Sequence, residues 1–203
     1  MNWKNVQTKL NAAGFDAGKV DGDPGPQTCG ALLAYVANRP MNPTIAGLGV
    51  GLSLHLNRFD LTTPARVANF VGQGCHETGS FRYLREIWGP TAAQQRYEGR
   101  ADLGNNQPGD GRRFLGRGVF QITGRANYEK IGERLDIDLI THPEQAEEPG
   151  TAILTALDFW QTHHLNDLAD QGREDAITRT INGGTNGIDE RRAFVARAKG
   201  VLT

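Results

Sequence analysis

A mainly α fold with few short strands follows from three features of this chain. Apolar residues recur at helical spacing along most of its length, from Trp3, Val6 and Leu10 to Phe194 and Val195. Several of these stretches carry their own boundaries: Gly14 stops the first, Thr63-Pro64 starts another, and Gly183-Gly184 ends the one containing Ile181. Only Phe114 to Thr123, FLGRGVFQIT, combines apolar and β-branched residues between glycines in a way that predicts an extended segment.

In chain order, the first helix precedes a turn-rich loop, AGKVDGDPGPQT, and a second apolar helix with Ala31, Leu32, Leu33, Tyr35 and Val36. Asp21-Gly22-Asp23 lacks the spacing of a calcium loop and reads as turn chemistry. Arg39-Pro40-Met41-Asn42-Pro43 is a linker, and Leu52, Leu56 and Phe59 mark a short helix after it. Thr63 can cap the next helix, Pro64 suits its first position, and Val67, Phe70, Val71 and Cys75 form its apolar stripe. A helix over Thr91 to Tyr97 sits inside a long polar loop from Gly89 to Gly111. Tyr128, Ile131 and Leu135 define another helix, and Asp136 to Pro143 a loop. Ala152, Ile153, Ala156, Leu157 and Trp160 predict a core-crossing helix that ends near the exposed pair His163-His164. Ala176, Ile177 and Ile181 mark one more; the last begins at Asp189, where Arg191, Arg192 and Arg197 are available to acidic groups.

Chemistry concentrates in Val71 to Trp88, VGQGCHETGSFRYLREIW. Glu77 falls on the same helix face as Phe70, where lost hydration is expected to raise its pKa, as a general acid requires. On an unbroken helix Glu86 would lie about 14 Å further along and on the opposite face. Paired glycosidase carboxylates work about 5–10 Å apart, so a turn at Gly79-Ser80 is needed to bring the two together. A lone glutamate at a helix end is more often a solvated cap, and Glu98 in the long loop is the rival second carboxylate. His76-Glu77 begins no H-E-x-x-H pattern, C-x-x-C is absent, and no metal site or cofactor is expected.

The runs CHETGSF at 75–81, LRE at 84–86, GDGRRFLGRGVFQITG at 109–124 and INGG at 181–184 together resemble glycoside hydrolase family 19, which contains chitinases and phage endolysins. Ser80 departs from the commoner glycine of the HETGG pattern. Lacking the long loops of plant chitinases, the chain is most similar to the phage and prophage endolysin branch. The resemblance implies a lysozyme-like fold of two lobes around a central cleft, and inverting hydrolysis of a glycan. It also implies Glu77 as acid, Glu86 as base, and Gln121, Thr123 and Asn182 as positioners of water and sugar. His76 is expected to orient the acid by hydrogen bonding. Without the resemblance, Gln121 and Thr123 read as polar residues of a buried turn, and Asn182 as an ordinary helix C-cap.

Residues 1–38 resemble part of a small helical peptidoglycan-binding module, and the family 19 resemblance implies that 39–203 are the catalytic domain. The amino-terminal segment either binds wall or packs against the catalytic part. The expected substrate is the glycan strand of bacterial peptidoglycan. Chitin hydrolysis and non-catalytic wall binding are the alternatives.

With 203 residues and a net charge of −1, the chain has room for one sizeable core and no global basic field to attract nucleic acid. Its two cysteines, Cys29 and Cys75, read as buried free thiols. MNWKNVQTKLNAAGF has no apolar run of signal-peptide length, and no segment reaches a membrane span. The sequence-level expectation is a monomer made in the host cytoplasm that acts on the wall in the periplasm and depends on a holin for access.

Overall fold

The structure is a computed structural model that describes residues 1–203. Its helices are α1 (Trp3–Ala12), α2 (Pro26–Ala37), α3 (Pro43–His55), α4 (Pro64–Glu77), α5 (Ala92–Gln95), α6 (Asp110–Arg113), α7 (Arg125–Leu135), α8 (Pro149–Thr162), α9 (Leu165–Asp170), α10 (Glu174–Asn182) and α11 (Ile188–Leu202). Pro26, Pro43, Pro64 and Pro149 each open a helix, where the missing N–H has no partner to lose. The side chains of Asn2, Asn42 and Thr63 accept from first-turn amides of α1, α3 and α4.

Two hydrophobic cores give the two lobes. The larger is built from α1 to α4 and α8 to α11, and Phe70 packs edge-on against Trp160 and Phe120 within it. Two close helix crossings hold it. A β-carbon on Gly49 would lie 2.6 Å from Gly30 Cα, and one on Gly72 would lie 2.8 Å from the Val195 backbone nitrogen. These glycines set how closely α3 approaches α2 and α4 approaches α11. The smaller core gathers Phe114, Ile122, Tyr128, Ile131, Leu139 and Ala146 around α7. Residues 1–38 carry no core of their own: Val6, Leu10, Leu32 and Leu33 belong to the large one. Cys29 and Cys75 are free and buried, and burial pushes both thiols up to about 12. No helix is long and apolar enough to cross a membrane.

The extended segment expected at 114–123 is instead a tight turn carrying two isolated bridges, Arg85 with Arg117 and Arg117 with Ile122. Gly116 and Gly118 bring the backbone close to its neighbours there, and the run is too short for a ladder. The helix expected over Thr91 to Tyr97 shrinks to Ala92–Gln95, started by a capping box between Thr91 and Gln94.

Candidate active site

Glu77 is the last residue of α4, and the chain turns immediately after it. Gly79, Ser80 and Phe81 have φ of 58°, 63° and 57°, so two residues with side chains occupy the left-handed region in succession. Fixed partners hold them there. The Thr78 hydroxyl donates to Gly74 O at 2.6 Å and accepts from the Phe81 amide at 2.9 Å. Ser80 N–H donates to Cys75 O at 2.7 Å, and Arg39 Nη1 donates to Ser80 O at 2.9 Å. The break that the sequence required is thus built, with an arginine of the linker bracing it.

One oxygen of Glu77, Oε1, accepts from Arg191 Nη2 of α11. The Arg191 side chain is 2 % exposed, so its charge needs several acceptors. It finds them in Glu77, in Gln73 Oε1 at 2.7 Å and in Asn186 O at 3.3 Å. Gln73 in turn donates to Thr178 Oγ1 at 3.0 Å. Glu77 therefore meets a fixed guanidinium rather than a purely apolar wall. His76 does not bond to Glu77: its Nδ1 pairs with Glu190 Oε2 at 2.6 Å, and its ring occupies the space that a side chain on Gly187 would need. Adjacent residues of a helix point about 100° apart, which keeps His76 off the face of Glu77.

Glu86 lies past the turn, where the chain enters the smaller lobe, and every donor it meets is uncharged. Its Oε1 accepts from Gln94 Nε2 at 2.9 Å and from the Tyr97 hydroxyl at 3.4 Å. Its Oε2 accepts from the Gly116 amide at 3.1 Å. Burial and the Glu86 carboxylate both raise the Tyr97 phenol above its ordinary value, which keeps it a donor. Glu98 has a different occupation. Its two oxygens accept from the Gly109 and Gly111 amides at 2.6 and 2.9 Å, closing the start of α6. The same loop is tied to α7 by Asp110, whose carboxyl is held below the ordinary aspartate value by Arg125.

Gln121 joins Glu86 through Gly116. A β-carbon on Gly116 would lie 2.8 Å from Gln121 Oε1 and 3.3 Å from Glu86 Oε2, so both polar groups converge on that bare backbone. Gln121 and Thr123 line a cavity of about 510 Å³ between the lobes, walled by Ile122 and Ile131 on one side and Phe159 and Ile181 on the other. The Thr123 hydroxyl donates to Gln121 O at 3.0 Å, leaving its lone pairs free to accept. Asn182, at the end of α10 beside Ile181, has a buried side-chain nitrogen with no partner in the protein. The C-cap of α10 is Gly183, so Asn182 is the last helical residue rather than the cap itself. Gly116→Ala should push Gln121 and Glu86 aside, lowering turnover about tenfold or more with little change in melting temperature. Steady-state rates beside a thermal melt will show it.

Sequence reading did not find Arg39, Gln73, Gln94 or Tyr97 and named Arg191 only as a partner for some acid. Gln94 alone carried a local signal, as the third residue of a capping box after Thr91.

Residues 57–172 match the family model described as Chitinase class I, which covers more than half of the chain. A glycosyl hydrolase family 19 domain-containing protein of Haemophilus influenzae is 27% identical over 182 residues, 76% of this chain and 88% of that protein. An endochitinase of Arabidopsis thaliana is 36% identical over 119 residues, covering 58% of this chain but only 39% of the plant protein. Among solved structures, a bacterial family 19 chitinase superposes with a TM-score of 0.67 at 23% identity, over 85% of this chain and 93% of its own. Chitinase C from Streptomyces griseus gives 0.68 at 22% identity, over 89% and 95%. Those two likenesses establish the mainly helical, two-lobed fold. The extent of the family match makes this chain a member of glycoside hydrolase family 19.

Proposed function

We propose that this glycosidase cuts the glycan strands of bacterial peptidoglycan by single displacement, in the manner of a phage endolysin. The two-carboxylate mechanism is supported by the different setting of Glu77 and Glu86. Glu77 is anchored through one oxygen by a fixed cation from the large lobe, and Glu86 is held only by neutral donors at the smaller one. With Oε1 of Glu77 anchored by Arg191, Oε2 can present a proton to the glycosidic oxygen as the bond to the anomeric carbon breaks. Glu86 accepts a proton from the water that attacks the same carbon from the opposite face. Gln121 and Thr123 hold that water and the sugar near Glu86, and Asn182 donates from the α10 side. His76, paired with Glu190, braces the end of α4.

Chitin has the same linkage, and the named plant and Streptomyces relatives are chitinases, so a chitinase is the second reading. Peptidoglycan is preferred because the chain, lacking the long loops of plant chitinases, resembles the phage and prophage endolysin branch. Release of reducing ends from purified wall, and not from N-acetylglucosamine oligomers, is the expected result. The reverse pattern would favour the chitinase. A non-catalytic wall binder would sediment with wall and release nothing. In the endolytic role, a holin would supply the route across the membrane.

Thr123→Val removes the acceptor for the attacking water while keeping the shape of the side chain. Turnover should fall roughly ten- to a hundredfold, the equivalent of about 1.4–2.8 kcal/mol. An unchanged rate in a folded variant would place Thr123 outside the chemistry.

A further inference from the structure

The long face of α7 divides its charges between two cavities. Glu129 and Glu133 line one cavity on the outer side of the smaller lobe. Lys130 and Arg134, one turn apart, line the cavity between the lobes that also holds Gln121 and Thr123. That helix face is fastened to the catalytic turn, because Asn127 Nδ2 donates to Thr123 O at 2.7 Å. Arg134 is already satisfied. Its Nε donates to Asp158 Oδ1 at 2.8 Å, and the Asp158 side chain is only 7% exposed. Lys130 has neither an ion pair nor a hydrogen bond to the protein, and its side chain is exposed at the rim. The cavity thus carries one uncompensated positive charge beside the groups that hold the sugar, in a chain whose overall charge is −1.

We infer that Lys130 is a specificity residue that binds a carboxylate carried on the lactyl arm of a muramic acid unit. This rests on the peptidoglycan reading above and goes beyond it, because it says how the cleft tells an acidic glycan from neutral chitin. A neutral polymer of N-acetylglucosamine offers this ammonium no anion. A muramyl unit seated next to Thr123 carries its lactyl oxygen at C3, and the acid lies either on that arm itself or on the attached stem peptide.

The test uses the full chain and three soluble glycan preparations from purified wall. One keeps its stem peptides, one has been stripped by an amidase so that the lactyl carboxylate is free, and one has been stripped and then amidated with carbodiimide and methylamine. For Lys130→Gln, the ratio of KM on acidic glycan to KM on amidated glycan should rise about three- to tenfold, the range of a part-exposed ion pair. Lys130→Arg should restore much of it, and added salt should raise the wild-type KM on acidic glycan more than that of Lys130→Gln. A rise on the stripped preparation alone assigns the carboxylate to the lactyl arm, a rise on the stem-bearing one alone assigns it to the peptide, and a rise on both shows that Lys130 reaches an acid in either place. An unchanged ratio, with wild type active on all three, overturns the role of Lys130 and leaves the peptidoglycan reading intact. No cleavage of any preparation by wild type overturns that reading itself.

Discussion

Glu77→Gln is expected to lose nearly all lytic activity, by a factor of roughly a hundred to ten thousand, the usual contribution of a positioned general acid. The amide still accepts from Arg191 but has no proton to give the leaving oxygen. Arg191 then remains with Gln73 and Asn186 as partners and loses its only carboxylate contact. Breaking a fully buried pair costs about 3–5 kcal/mol, and here the 19% exposure of Glu77 and the surviving amide bond reduce that cost. The variant should therefore fold, melt somewhat earlier, and still sediment with wall. Circular dichroism and sedimentation separate this outcome from simple unfolding. Near-native turbidity loss in a folded Glu77→Gln protein would remove it from the chemistry.

The second large effect separates Glu86 from Glu98. Glu86→Gln keeps one oxygen, which serves either the Gln94 and Tyr97 donors or the Gly116 amide but not both sides, and provides no base for water, so turnover should again fall roughly a hundred- to ten-thousandfold. Azide needs no deprotonation and should restore turnover by attacking the anomeric carbon to give a glycosyl azide of inverted configuration. Glu98→Gln should instead weaken the closure of α6 by about 1 kcal/mol and keep most of the activity, because both oxygens of Glu98 are spent on backbone amides. The opposite pattern, an active Glu86→Gln and a dead Glu98→Gln, would transfer the base to the long loop.

Local signals fixed much of this fold. Thr63-Pro64 and the stripe Val67, Phe70, Val71 and Cys75 describe α4 in full, and the need for a turn at Gly79-Ser80 followed from the geometry of a helix alone. Long-range partners were not legible. Arg191 reaches Gln73 and Glu77 only because α11 packs along α4, a contact set by Gly72 and Val195 that no local pattern encodes. Arg39 looked like part of a linker, yet it braces the turn behind Glu77 from 41 residues away. The short α9, LNDLAD, has too few apolar residues to show a period, and it is helical because Leu165 and Ala169 are buried in the large core. His76 was assigned to its sequence neighbour, whereas the helix directs it to Glu190.

The most direct measurement is proton NMR of the first products released from wall glycan, recorded before the anomers equilibrate. Attack by water activated at Glu86, on the face opposite Glu77, converts each β-linkage to an α-anomer, and the α signal should appear first and then decay toward the equilibrium mixture. A β-anomer appearing first would require a covalent or substrate-assisted intermediate and would contradict the assignment of Glu77 and Glu86 as acid and base.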